Sequence, residues 1–191
     1  MSGNRKADAR VRRTRDALGD ALVALMTERP FESITVQHVL DRAGVGRSTF
    51  YVHYSGKDDL LSTDVDEFWS HMANRLSVTN ERSDRVAPVR ELFAHVAGMV
   101  EFLGALDAAG KRHEVTEAGR VHFAHAIEDR LARSGRGSHL PAVHREAMAH
   151  AQAGAIFSML DWWLANGEPI PPAEVDDLFH RAFWSGVARQ G

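Results

Sequence analysis

Between residues 47 and 57 the chain gathers Arg47, Ser48, Thr49, Tyr51, His53, Tyr54 and Lys57. A guanidinium presents the fork of N–H donors that matches O6 and N7 of guanine, hydroxyls bond base edges or phosphate oxygens, and an ammonium is a point charge for phosphate. Together they form a set for reading duplex DNA. Other chemistries have less to stand on. Without Cys there is no disulfide, thiolate nucleophile or thiolate metal site. No Gly-rich phosphate loop, G-x-S-x-G or H-E-x-x-H occurs, and nothing in the sequence brings Ser, His and Asp together, so no enzyme is expected. Eleven His residues raise metal binding. His122 and His125 stand three apart, a spacing that puts two ligands on one helix face, and His95 or His71 could complete a site. Scattered surface or core histidines account for the same pattern more simply.

The elements that must position the DNA-reading set lie in residues 31–61, which read as two short helices joined by a Gly-containing turn. Thr35 is the expected N-cap of the first, whose Val36, Val39 and Leu40 share an apolar face. Small Ala43 allows close approach, Gly44 can take the positive φ that ends the helix, and Val45 plugs the angle. The second helix, about residues 47–54, buries Phe50 and leaves Arg47, Ser48, Thr49, Tyr51 and His53 to solvent or DNA. This is the plan of a helix-turn-helix, whose second helix enters the major groove.

Thr35, Ala43-Gly44-Val45, Thr49-Phe50-Tyr51, His53-Tyr54, Lys57 and Leu60, in one register, resemble the signature of TetR-type transcriptional regulators. The match covers about the first third of the chain. It departs from the family pattern at Gly46, where a Ser cap is usual, at Ser48, commonly Gly, and at Tyr54, usually Phe; Ser48 is then expected to supply the missing hydroxyl at the helix start. The resemblance implies that Tyr51, His53 and Tyr54 pack on or bond to the phosphate backbone, flanked by Thr35 and Lys57 at two other helix N-termini.

Net charge divides along the chain. Residues 1–57 carry ten Lys and Arg against six Asp and Glu, a balance of +4, and residues 58–191 carry 13 against 20, a balance of −7. A basic N-terminal part can meet phosphates while an acidic remainder does something else. The first ten residues read as a disordered basic arm; Arg5, Lys6, Arg10, Arg12, Arg13 and Arg15 could reach along phosphates or into the minor groove. Charged early residues and the want of an apolar run near 20 residues predict a cytoplasmic protein with no signal peptide and no membrane contact.

Apolar periodicity predicts an all-α fold of about nine helices in two parts; the resemblance implies that these are an N-terminal three-helix DNA-binding domain over residues 1–56 and a helical effector-binding and dimerisation domain over 57–191. The first helix is expected over residues 14–28. A fourth opens at Lys57 with the stripe Leu61, Val65, Phe68, Trp69, Met72 and Leu76, and residues 79–87 form a loop. One central helix then runs from Pro88 through Leu106, and another spans 116–133 with Val121, Phe123, Ile127 and Leu131. A helix from Pro141 ends at Asn166-Gly167, and a last one from Pro172 buries Val175, Leu178, Phe179, Ala182, Phe183 and Val187.

The aromatic and Met stripes are core by default. The resemblance implies in addition an apolar cavity for a small effector, with Phe68, Trp69, Met72, Phe93, Val96, Met99, Val100, Phe123, Met159 and Trp162 as candidate lining and His95, Glu101 or His122 as directing groups. It further implies a homodimer through the last two helices and a repressor released from operator DNA by an apolar or aromatic ligand. No cofactor is implied. A metal-responsive regulator of the same fold and a protein-interaction module without an operator are the alternatives.

Overall fold

The computed structural model describes residues 2–78, 85–134 and 137–187. Nine α-helices and two 3-10 turns, and no strand, occur among the described residues. They form two compact units, Met1–Val65 with Val100–His113, and Asp66–Met99 with Glu114–Gly191.

In the first unit, α1 (Ser2–Glu28) begins twelve residues earlier than the periodicity predicted. The expected disordered arm is helical because, after Gly3, its Arg, Lys and Ala residues are good helix formers with no Gly or Pro among them. The side chains of Arg5 and Lys6 lie outside the described residues. Further along, Leu18, Leu22, Leu25 and Met26 are buried, and Pro30 closes the helix. A 3-10 turn (Phe31–Ser33) buries Phe31 and leads to α2 (Val36–Ala43), which packs on α1, and α3 (Arg47–His53), which packs on α2. Buried Ile34, Val39, Leu40, Phe50 and Leu60 complete this core, each worth about 1.5–3 kcal/mol of burial.

Helix α4 (Lys57–Ala73) starts in this unit and ends in the second. Helix α6 (Val100–Ala108) also packs on α1, and a Lys111–Asp58 ion pair at 3.0 Å links the segment after it to the start of α4.

The second unit contains α5 (Val89–Ala97), α7 (Arg112–Arg133, from Glu114 onward), α8 (Ala142–Ala165) and α9 (Pro172–Val187). The single helix expected from Pro88 through Leu106 is two, α5 and α6. Gly98 caps α5, its N–H and that of Met99 fold back on the carbonyls of His95 and Val96, and the tighter turn breaks the register. Helix α5 lies against α9 and α8, with Phe93 edge-on to Trp163 at 5.2 Å between ring centroids. Trp69, Phe123 and Phe157 form a second aromatic group, with centroids 5.4–6.1 Å apart. Gly119 makes it possible: a Cβ there would stand 2.5 Å from Phe157 and 2.8 Å from Trp69.

Two residues of the last helix do not follow the predicted stripe. Val175, Phe179 and Phe183 are buried, whereas Leu178 and Ala182 are exposed, because the arc facing α5 is narrower than the apolar arc of the sequence. The side chain of Val187 lies outside the described residues. On α7, Val121 is likewise exposed.

One polar network is buried in this unit. His180 accepts the Val86 N–H at Nε2 (3.0 Å), so its proton sits on Nδ1 and is donated to the Asp176 carbonyl (2.8 Å). The Asp176 carboxylate accepts from Arg85 (2.8 Å) and the Arg90 N–H (3.1 Å), and Arg85 also grips Glu91. Burial alone would raise the Asp176 pKa; the hydrogen bonds its carboxylate accepts, those from Arg85 and the Arg90 N–H among them, outweigh it and hold the group at about 2.

Candidate nucleic-acid interface

The helix-turn-helix is built from its caps inward. Thr35 accepts the His38 N–H on its hydroxyl at 3.2 Å while His38 Nδ1 accepts the Thr35 N–H at 3.3 Å, a reciprocal capping box. Gly44 takes φ 65°, ψ 30°, the left-handed conformation that ends α2, and the Val45 N–H returns to the Leu40 carbonyl at 3.2 Å. Gly46 is the N-cap of α3 and no side chain caps it, so Ser48 does not supply the hydroxyl expected of it.

Phe50 anchors α3 with no exposed surface, edge-on to Tyr51 at 5.3 Å and tilted against Tyr54 at 5.5 Å. Arg47, Ser48, Thr49 and Tyr51 are exposed and His53 half-buried. Val52, absent from the sequence-based set, is 76% exposed. A helical-wheel count from Phe50 would have placed it outward; its apolar type concealed it.

Tyr54 is buried apart from its function as a hydrogen-bond acceptor, taking Arg15 Nε of α1 on its hydroxyl at 3.1 Å. Lys57 is also committed inward, with Nζ donating to the Phe31 carbonyl at 2.6 Å and lying 4.2 Å from the centre of the Phe31 ring. The turn between α3 and α4 is closed by Asp59, whose carboxylate accepts the Ser55 N–H (2.7 Å) and hydroxyl (3.0 Å). Those bonds, the backbone one foremost, hold its pKa below the usual carboxylate value.

Residues 18–63, spanning these three helices, match the family described as bacterial regulatory proteins, tetR family. The helix-turn-helix of this chain belongs to the TetR family. A curated relative, the uncharacterised HTH-type transcriptional regulator YxbF of Bacillus subtilis (strain 168), is 28% identical over 81 residues, 42% of this chain; the match spans about a fifth (21%) of that relative's length.

The TetR-type likeness of fold extends along most of the chain. A TetR transcriptional regulator from Streptococcus agalactiae 2603V superposes with a TM-score of 0.59 at 21% identity, covering 94% of this chain and 98% of its own. The dihydroxyacetone kinase operon activator DhaS gives 0.68 at 14% identity (91% and 96%). NalD, the secondary repressor of the MexAB-OprM multidrug efflux pump in Pseudomonas aeruginosa, gives 0.56 at 18% (95% and 99%). At these identities the likeness is one of fold.

The candidate effector residues fall into two groups. Trp69, Met72, Phe93, Val96 and Phe123 are buried in the second unit, with Phe68 and Met159 half-buried there. Phe68 stacks on His95 at 4.9 Å; desolvation, then the charge of Arg75, lowers the His95 pKa. Met99 is half-buried, while Val100 and Trp162 lie on the surface. A hollow of about 330 Å³ opens between α7 and α8, lined by Ala124, His125, Glu128, Ala142, Glu146, Ala149 and His150, none of them in the sequence-based set. His122 is paired with Asp66 at 2.8 Å. Among the described residues no three His, Asp or Glu side chains converge as a metal site requires, and no helix is long and apolar enough to cross a membrane.

Proposed function

We propose that this chain is a one-component transcriptional repressor, a homodimer that holds a near-palindromic operator through α3 and leaves it when a small apolar or aromatic ligand occupies the second unit. The observation that carries this reading is α3 itself. Phe50 locks one face inside while Arg47, Ser48, Thr49 and Tyr51 stand exposed on a basic N-terminal part. Dimerisation follows mechanically, because a seven-residue helix reads few bases, whereas two held about 34–36 Å apart match successive major grooves.

The ligand would act through α4, the one continuous helix that begins beside the DNA-reading turn and carries Phe68, Trp69 and Met72 at its far end. Tilting it changes the spacing of the two α3 helices, so ligand and operator disfavour each other reciprocally. DhaS, an activator, and NalD, a repressor, share this fold; the sign of regulation depends on where the operator lies relative to the promoter. Footprinting on DNA flanking the gene tests the reading. The expected result is two protected half-sites about one helical turn apart, with affinity falling steeply in salt. Uniform or absent protection would overturn it.

A further inference from the structure

We propose that Val52 reads the 5-methyl group of a thymine in each operator half-site. The inference rests on the operator-binding reading above and adds a specificity residue to it. Successive residues of an α-helix turn by about 100°. Phe50, 0% exposed, is the buried residue of α3 (Arg47–His53) and defines its inward direction. Val52 stands about 200° from Phe50, on the outermost line of the helix, with Ser48 one turn behind it on the same side. It is more exposed than any other large apolar side chain among the described residues.

That position is where a helix seated in the major groove comes nearest the base edges. The thymine methyl is the one apolar group among the groove's donors and acceptors, and an aliphatic side chain is its complement. Valine suits the task further because its branched Cβ leaves one strongly preferred rotamer in a helix, so its methyls are presented without an ordering cost. Arg47, Ser48 and Thr49 beside it supply polar reading, and Val52 supplies the contact that distinguishes thymine from cytosine at the same step.

The test uses the full chain and a duplex that it selects from a random-sequence library. Each thymine of that duplex is replaced in turn by 2′-deoxyuridine, which removes only the methyl. For the unaltered protein, one position per half-site should weaken binding about fourfold, and about 15-fold when both half-sites are changed, the ratio that one buried methyl carries. Val52→Ala, whose exposed position spares the fold, should bind the thymine duplex more weakly and lose all sensitivity to deoxyuridine at that position. If no deoxyuridine weakens the unaltered protein, or if Val52→Ala stays equally sensitive, the assignment is wrong while operator binding stands. Failure to select any duplex would remove operator binding and this contact together.

Discussion

The sequence casts Arg47 as a base-reading fork and Lys57 as a point charge for phosphate, and their surroundings in the structure differ as well. Arg47 is exposed at the first turn of α3. Arg47→Ala should weaken operator binding by about 1–3 kcal/mol and relax preference at one base position. Competition between operator and random duplex measures this, and an equal loss on both would make Arg47 a phosphate contact. Lys57 bonds the Phe31 carbonyl and covers its ring, tying α4 to the turn before α2. Its loss should therefore appear in stability. Lys57→Ala is expected to lower unfolding free energy by about 1–2 kcal/mol in a urea melt, the scale of a charge-assisted hydrogen bond, and to change the salt slope of DNA binding by less than one unit per half-site. A slope that falls by a full unit with stability intact would return Lys57 to the phosphates. The type and position of these residues were legible in the sequence. Their partners were not, because a carbonyl 26 residues away leaves no mark on local pattern.

Element boundaries were legible where they rest on local chemistry. The Thr35 cap, the left-handed Gly44 and the Asn166-Gly167 stop all act within a turn of the chain, and each is where its residue type placed it. The break between α5 and α6 was hidden because apolar spacing continues across Gly98, and only the tertiary fold decides that α5 lies against α9 while α6 lies against α1. The loop-to-α9 network was hidden for the same reason, since Arg85 and Asp176 meet only after folding. It makes a pH prediction. A carboxyl held at about 2 contributes stability that is complete above its unfolded value near 4 and is lost as pH falls from there through about 2. Asp176→Asn should cost on the order of 2 kcal/mol at neutral pH and flatten that acid limb. Melting temperatures between pH 2 and 7 measure both, and an unchanged acid limb would assign the loss to other carboxylates. At Gly119 an added Cβ would come within 3 Å of the Phe157 and Trp69 rings, so one of them would have to shift. Gly119→Ala should destabilise by about 1–3 kcal/mol through overpacking, read from a denaturant melt; a neutral result would mean that Trp69 and Phe157 can part.

For the whole molecule, the apolar surface left outside the second unit bears on assembly. The sequence presents the stripe of the last helix as one face, and the resemblance implies a homodimer through the last two helices. In the structure the stripe divides: Val175, Phe179 and Phe183 are spent inside the protomer, whereas Leu178 of α9 is 41% exposed and Trp162 of α8 51% exposed. A charge at Phe183 would therefore report on folding. Leu178→Asp is the variant that addresses the proposed pairing of α8 and α9 between protomers, because the side chain can accept a carboxylate in the monomer and not in an apolar interface. It should sediment as a folded monomer with a helical signal and a melting transition intact. Operator affinity should fall by about 100-fold or more, since two tethered α3 helices bind with a local concentration that separate ones lack. A Leu178→Asp protein that still sediments as a dimer and holds operator normally would place the symmetry axis on another face. A Phe183→Asp protein that is folded but monomeric would restore the last helix's inner face to the interface.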